Sequence, residues 1–386
     1  MNALPPNFTL LQVTPALNAG GVEQTTIDIA RAVTVAGGRA LVASAGGRLE
    51  GALADAGGEL IRMRLDTKSP FTMIANALAL KALIVREKVS LVHVRSRAPA
   101  FSALWAARRA RVPVLATYHG VYNARSPLKR WYNAVMTRGD LVIANSAFTH
   151  DHVIAEHRVD PARVETIPRG VNLARFDPAA VPARRVAEMR RSWGLADDDT
   201  RQVVLCAGRL TRWKGQGLLV SAAAHLEDVG EGDFVLIFVG DDQGRDGYRR
   251  ELQAAIVEAG IDARIVGHCA DMPAAYLAAD IVCAPSLDPE AFGRTAVEPQ
   301  IMGRPVLAAR HGAATETVVH GETGWLVEPR DDDAWAAALG KALAKAPEKR
   351  AAMGERGRAR AVELYSVEVM AEATLAVYRR LLAGRA

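Results

Sequence analysis

Residues 8–35 read FTLLQVTPALNAGGVEQTTIDIARAVTV. Residues 8–13 are mostly apolar, with Thr9 and Gln12 the exceptions, a loop carrying Gly20 and Gly21 follows, and residues 23–35 place apolar side chains at helical spacing. An unbroken apolar run, rather than an alternating one, marks a strand covered on both faces, as in a parallel sheet. The same unit recurs. Strands are expected at 39–43, 91–94, 114–117, 141–144 and 164–167, with helices at 75–87, 98–109 and 128–138. Residues 168–182, with Pro168, Pro178 and Pro182, lack periodicity. A second series follows, with strands at 203–207, 234–239, 263–266, 281–284 and 306–308. Helices fall after Gly215, at 248–259, at 295–302 and beyond Asp331, Asp332 and Asp333, whose carboxylates suit a helix N-terminus. Alternating strands and helices imply doubly wound sheets. The chain therefore reads as α/β with two Rossmann-like domains, 1–175 and 176–365, hinged near 170–185.

The bulk properties agree. A chain of 386 residues fits two domains of roughly 150–200 residues. Half the residues are hydrophobic and 24% are charged, which excludes a disordered or fibrous chain. No apolar run reaches the roughly 18 residues of a membrane span; the best, 71–85, is interrupted by Asn76 and Lys81. Residues 1–10 have no basic flank, so a secretory signal is not expected. Cys206, Cys269 and Cys283 are odd in number and lack metal-ligand spacing, which suits a reducing compartment. The net charge of +5 hides an asymmetry. Residues 1–185 carry 24 Lys or Arg against 13 Asp or Glu, and residues 186–386 carry 24 against 30. A basic first half suggests an anionic partner, with Arg95, Arg97, Arg108, Arg109, Arg111, Arg125, Lys129 and Arg130 as the attracting groups. Dispersed, solvated arginines are the plainer alternative.

Ligands of open parallel sheets bind beyond the carboxyl ends of the strands. After the first strand, Gly20-Gly21 opens a helix and lets backbone approach an anion, although the spacing is not the dinucleotide fingerprint. After the strand 203–207 comes Gly208-Arg209-Leu210-Thr211-Arg212-Trp213-Lys214-Gly215. Arg209 and Lys214 can converge there on one phosphate group, and the spacing is not that of a nucleotide-hydrolysing P-loop. After the strand 281–284, Glu290 and Glu298 straddle a loop-to-helix junction around Phe292, Gly293, Arg294 and Thr295. Amides at that helix start are free to bind oxygen atoms. His119 follows the strand 114–117, at a carboxyl end.

In this order, these segments resemble the retaining glycosyltransferases of family 4 (glycosyl transferases group 1). The matching residues include Gly20-Gly21-Val22-Glu23, Tyr118-His119-Gly120, Pro168-Arg169-Gly170, Gly208-Arg209-Leu210, Lys214-Gly215, Val266-Gly267, Glu290 through Glu298 and Gly321-Glu322-Thr323-Gly324. The resemblance implies a GT-B fold, two Rossmann-like doubly wound domains facing across a cleft. It makes the first domain the acceptor side and the second the donor side, with a helix at about 366–386 packing back on the first. It implies a nucleotide-diphosphate sugar as donor substrate, UDP ahead of GDP or ADP, with no permanently bound cofactor and no metal. Arg209 and Lys214 would bind the diphosphate, Glu298 the ribose, and Glu290 the transferred sugar. Phe292, Gly293, Arg294 and Thr295 would offer backbone to sugar and phosphate. Val266 and His268 would lie beside the base, Gly20 and Gly21 would face the diphosphate, and His119 would lie next to the sugar.

The Tyr-His-Gly loop and the arginine-rich first half are similar to transferases of bacterial lipopolysaccharide-core or other envelope glycans. That implies a glycan or lipid-linked acceptor, a cytoplasmic protein peripheral on an anionic membrane, no nucleic-acid partner, and a monomer or weak dimer. Arg169 stands where the family usually has Asn. It would bind an anionic acceptor or pair with a hinge carboxylate. A glycosidase using Glu290 and Glu298, a non-catalytic membrane- or nucleotide-binding protein of the same fold, or an epimerase or phosphorylase on this scaffold, are the other readings.

Overall fold

A computed structural model describes residues 4–18, 20–122, 124, 126–228, 233–244 and 246–384. Two compact units emerge: unit 1 holds the chain up to Gly170 and again from Val367, and unit 2 holds Val171–Ser366. Residues 171–175 thus go with unit 2 rather than with the first domain. The cause is local: the Val171 amide donates to the Tyr365 carbonyl at 2.7 Å, and Val171 bridges to Ser366.

Unit 1 is built on β1 (Thr9–Val13), β2 (Arg39–Ser44), β3 (Gly58–Arg62), β4 (Leu91–Val94), β5 (Val114–Tyr118), β6 (Leu141–Ala144) and β7 (Val164–Thr166). Every pairing is parallel, in the order β3-β2-β1-β4-β5-β6-β7. Unit 2 has β8 (Gln202–Ala207), β9 (Phe234–Val239), β10 (Ala263–Gly267), β11 (Ile281–Ala284), β12 (Val306–Ala309) and β13 (Gly324–Val327), again parallel, in the order β10-β9-β8-β11-β12-β13. Both sheets reverse direction beside their first strand, between β1 and β4 and between β8 and β11. That reversal opens the crevice in which doubly wound sheets hold ligands.

Central strands are buried along their length, which is why they read as mostly apolar runs, with Thr9, Gln12, His93 and Thr117 as buried polar exceptions. Two strands escape the sequence reading. β3 is an edge strand, only half covered, and its sequence GELIR mixes charge with apolar residues. β13 is four residues long and follows the turn Gly321–Thr323. The helices Ala147–His157 and Ala183–Ser192 were also not expected. The first is capped by Ser146, whose hydroxyl accepts from the Thr149 amide; the second buries no residue fully, so its apolar face is thin. The helix expected at 128–138 divides into an α-helix, Pro127–Asn133, and a 3₁₀ turn, Ala134–Thr137.

The last helix, Val367–Ala383, packs into unit 1 through Met370, Leu375, Val377 and Tyr378, against Leu10, Ile29 and Leu91. No helix among the described residues is long and apolar enough to cross a membrane.

Candidate active site

The unit 2 crevice is closed by glycines that permit backbone contact. Gly215 has φ +76°, and a Cβ there would lie 2.0 Å from the Pro285 carbonyl oxygen. The Leu287 amide donates to the Trp213 carbonyl at 2.7 Å, so the loops after β8 and β11 are tied together. That tie brings Lys214 to Glu290: Nζ donates to Oε1 at 2.7 Å, with the side chains only 11% and 18% exposed. The Ser286 hydroxyl donates to the same oxygen, and the His311 ring bonds the Ser286 carbonyl at 2.7 Å. The Ala313 amide donates to the Glu290 carbonyl at 2.9 Å. Glu290 is thus fixed by side chain and backbone together.

Glu298 lies in the first turns of the helix Arg294–Ile301, which starts from Gly293 in the left-handed conformation. It accepts from Arg294 Nε at 2.9 Å and from the Tyr276 hydroxyl at 3.0 Å. Burial, with the Glu298 charge beside it, pushes the Tyr276 phenol well above its ordinary pKa, so it stays a donor. Phe292 is buried edge-on against Tyr365 at 5.6 Å. Arg209 is exposed, and its guanidinium makes no ion pair among the described residues. Gln216 holds only its carbonyl, at 2.9 Å. Val266 and His268 sit at the carboxyl end of the edge strand β10, two strands from β8, with His268 exposed.

In unit 1, His119 follows β5 and is nearly buried. Arg169 Nη2 lies 3.1 Å from its Nδ1 and donates to its carbonyl at 3.1 Å. Because arginine only donates, Nδ1 accepts and the ring proton sits on Nε2. That Nε2 is buried with no hydrogen-bond partner among the described residues. Burial, then the Arg169 and Arg95 charges, push the ring well below the ordinary histidine pKa. His119 is therefore a neutral N–H donor near pH 7, suited to a hydroxyl and unsuited to acid catalysis. Arg169 is engaged at this histidine, a role neither of its sequence readings contained.

Two expectations meet a different arrangement. Gly20 has φ +138° and is exposed, but a Cβ on it would lie 2.7 Å from Glu23 Oε2. The carboxylate against this glycine loop is thus the chain's own Glu23, whose pKa burial raises. Ala19 of the same loop lies outside the described residues. Of the basic residues singled out from the sequence, Arg125 lies outside the described residues, and Arg95 is not a surface charge. It is 2% exposed and donates to Gln12 Oε1 at 3.0 and 2.5 Å and to Thr117 at 3.3 Å. Its position just beyond the fully buried β4 puts it inside the sheet end, and burial depresses its pKa to about 10. Thr117 also bonds His93 at 2.7 Å, and His93 bonds Tyr378 at 2.6 Å.

The sequence reading missed Ser286, Tyr276, Trp213 and His311. Ser286, four residues before Glu290 in the same loop, was the one with a local signal. Among the described residues no cluster of three or more His, Cys, Asp or Glu could hold a metal ion.

Residues 188–360 match the family model described as Glycosyl transferases group 1, and residues 19–175 match Glycosyltransferase Family 4. The crystal structure of a glycosyltransferase from Rickettsia africae ESF-5 is 32% identical, with a TM-score of 0.89 over 98% of this chain and 99% of that one. Anabaena Alr3699/HepE in complex with UDP-glucose is 25% identical, with a TM-score of 0.80 over 96% and 98%. The D-inositol 3-phosphate glycosyltransferase of Segniliparus rotundus is 33% identical over 256 residues, 65% of this chain and 55% of that protein. The chain spans about half the length of the curated relatives it matches.

Proposed function

The chain belongs to the group 1, family 4 glycosyltransferases and has their GT-B pair of Rossmann-like units, and from that premise we propose that it moves a sugar from a nucleotide-diphosphate sugar to a glycan or lipid-linked acceptor with retention of configuration and without a metal. The observation that carries the reading is the β8–β11 crevice of unit 2. It holds an exposed Arg209 with no ion pair among the described residues and a Lys214 already aimed by Glu290.

Glycosyl transfer from such a donor leaves a diphosphate whose negative charge grows as the bond to the anomeric carbon breaks. Arg209 forks onto the phosphate oxygens and Lys214 adds a compact charge, which lowers the barrier in a partly buried site. The amides from Phe292 to Thr295, at a helix start, add donors for phosphate and sugar oxygens. Glu290 orients the transferred sugar, Glu298 the ribose, and Val266 and His268 flank the base. His119 gives its Nε2 proton as a hydrogen bond to a sugar hydroxyl. No enzymic nucleophile is invoked. The departing phosphate takes the acceptor's proton on the face it leaves, which retains configuration, and positioning supplies much of the remainder.

UDP is the favoured donor nucleotide, supported by the UDP-glucose complex of the Anabaena neighbour. The acceptor belongs on unit 1, which carries 24 Lys or Arg against 14 Asp or Glu, whereas unit 2 carries 24 against 29. An anionic, lipid-linked intermediate of lipopolysaccharide or another envelope glycan, met on the cytoplasmic face of a membrane, fits that balance. A glycosidase reading is less well supported. Glu290 and Glu298 each accept from a cation, the arrangement of orienting groups rather than of an acid and a nucleophile, and it leaves Arg209 without a purpose.

The test is a thermal-shift panel of nucleoside diphosphates and nucleotide sugars. A ligand at 100 times its dissociation constant adds about 2.7 kcal/mol of stability. A shift with UDP or a UDP-sugar supports the reading, and no shift with any member contradicts it.

A further inference from the structure

Arg169, which stands where the family usually has Asn, is held by the backbone on both sides of it. The chain runs on beyond β7 in the sheet direction, because the Ile167 amide donates to the Ala144 carbonyl at 2.8 Å, and the Gly170 amide donates to the Met370 sulfur at 3.1 Å. The register Tyr118↔Ala144↔Thr166 brings the carboxyl ends of β5, β6 and β7 level. His119, Asn145 and the segment Ile167–Arg169 therefore follow three neighbouring strands at the same height.

One guanidinium nitrogen serves both ends of His119. Arg169 Nη2 lies 3.1 Å from the ring Nδ1 and 3.1 Å from the carbonyl of the same residue. Asn145 Nδ2 donates to that carbonyl at 3.3 Å, so the backbone is pinned twice. A ring turned over about its Cβ–Cγ bond would lose the Nδ1 bond and put carbon Cε1 where Nε2 now lies. At the far side of the ring Nε2 is buried without a partner among the described residues, a cost that a ligand oxygen would remove. Asn in place of Arg169 ends well short of a guanidinium, so the clamp belongs to this arginine.

The charges around the ring agree with this. Arg169 and Arg95 act on it, His93 is the other titratable group that feels it, and the Tyr122 phenol meets the His119 backbone. Glu23 feels the Arg169 charge but is not among the groups acting on the ring. No carboxylate among the described residues therefore favours a second ring proton. A neutral imidazole has one nitrogen lone pair, and Arg169 occupies it.

We propose that Arg169 is a positioning residue for His119: by donating to Nδ1 it fixes the ring as the Nε2–H tautomer and leaves that hydrogen for an oxygen of the transferred sugar. The position then reads a hydroxyl through its lone pair and disfavours a sugar lacking oxygen there. With its lone pair taken, the ring binds and orients but carries no proton between reactants. The consequence for the sugar rests on the proposed reaction, in which His119 meets it. The state of the ring in the ligand-free protein does not.

The test uses the full chain with Arg169→Met, which keeps an unbranched stem and removes the donors, Arg169→Lys, which keeps a donor, and His119→Ala. Nitrogen NMR of the histidine rings reads the tautomer without ligand. The wild type is expected to show His119 with Nδ1 as acceptor and Nε2 protonated from about pH 7 to about pH 5.5. In Arg169→Met the ring is expected to take a second proton at a higher pH than in the wild type, and Arg169→Lys is expected to restore the wild-type signature. Isothermal titration with UDP-glucose, and with UDP, which has no sugar, reads the consequence. Arg169→Met and His119→Ala are each expected to weaken UDP-glucose roughly 3- to 10-fold and to leave UDP unchanged. The double variant is expected to lose no more than His119→Ala alone, because the two act as one unit. An unchanged ring signature in Arg169→Met, no loss for UDP-glucose, an equal loss for UDP, or additive losses would overturn the proposal. A wild type that binds neither UDP nor UDP-glucose would contradict the proposed reaction, and the ring signature would still decide what Arg169 does to His119.

Discussion

Replacing Lys214 by alanine separates its two roles. Its ammonium donates to Glu290 at 2.7 Å with both side chains largely buried. At an effective dielectric of about 20, such a pair attracts by roughly 6 kcal/mol before the desolvation of both groups is subtracted. The net worth of a charge-assisted bond is about 1.5–3 kcal/mol. Glu290 keeps the Ser286 hydroxyl in the variant, so the fold survives, with stability lower by about 1–3 kcal/mol. Loss of one charged contact to the departing diphosphate lowers kcat/KM by about 10- to 150-fold. Arg209→Ala is the companion: Arg209 has no ion pair to lose among the described residues, so activity falls by a similar factor with stability unchanged within about 0.5 kcal/mol. The assays are steady-state release of nucleoside diphosphate and thermal melting followed by circular dichroism. A folded Lys214→Ala protein with unchanged kcat/KM would refute the diphosphate assignment, as would a fully active Arg209→Ala protein.

Turnover is expected to continue in EDTA, because Arg209 and Lys214 supply the charge a metal would; loss restored by Mg²⁺ or Mn²⁺ would contradict this. Stability is expected to fall on acidification. Burial, then neighbouring arginines, hold the His93 and His119 pKa values down, so below about pH 6.5 the unfolded chain takes up protons first, at up to about 1.4 kcal/mol per pH unit for each histidine. Denaturant titrations from about pH 7 to pH 5 measure it, and the same slope in His93→Gln would remove His93 from the cause. Gly215→Ala is expected to cost about 2 kcal/mol or more, given φ +76° and the Pro285 carbonyl 2.0 Å from the added carbon. Gly247→Ala, where nothing lies within 4 Å, is expected to change stability by no more than about 1 kcal/mol in equilibrium unfolding.

The legible parts of this fold are those with local periodicity. β1, β8 and β9 read as strands because each is buried on both faces, and Arg209, Lys214, Glu290 and Glu298 stand out because they follow or flank such strands. β3 did not, since an edge strand needs no unbroken apolar run. Partnerships across the chain left no trace: His93 meets Tyr378 across 285 positions, and Tyr276 meets Glu298 across 22. Arg95 was misread as surface because composition counts charges without locating them, although its place directly after an apolar strand was a usable warning. The exposure of Phe71, Ile74 and Leu78 was equally invisible, because apolar residues on a helix do not say which of two faces is covered.

The most direct measurement is isothermal titration of UDP into the chain with EDTA present, for the wild type beside Arg209→Ala and Lys214→Ala. The predicted result is saturable, metal-free binding by the wild type that weakens about tenfold or more in each variant. Absence of binding, binding that needs a divalent metal, or equal affinity in all three proteins would contradict the assignment of the β8–β11 crevice as the donor site.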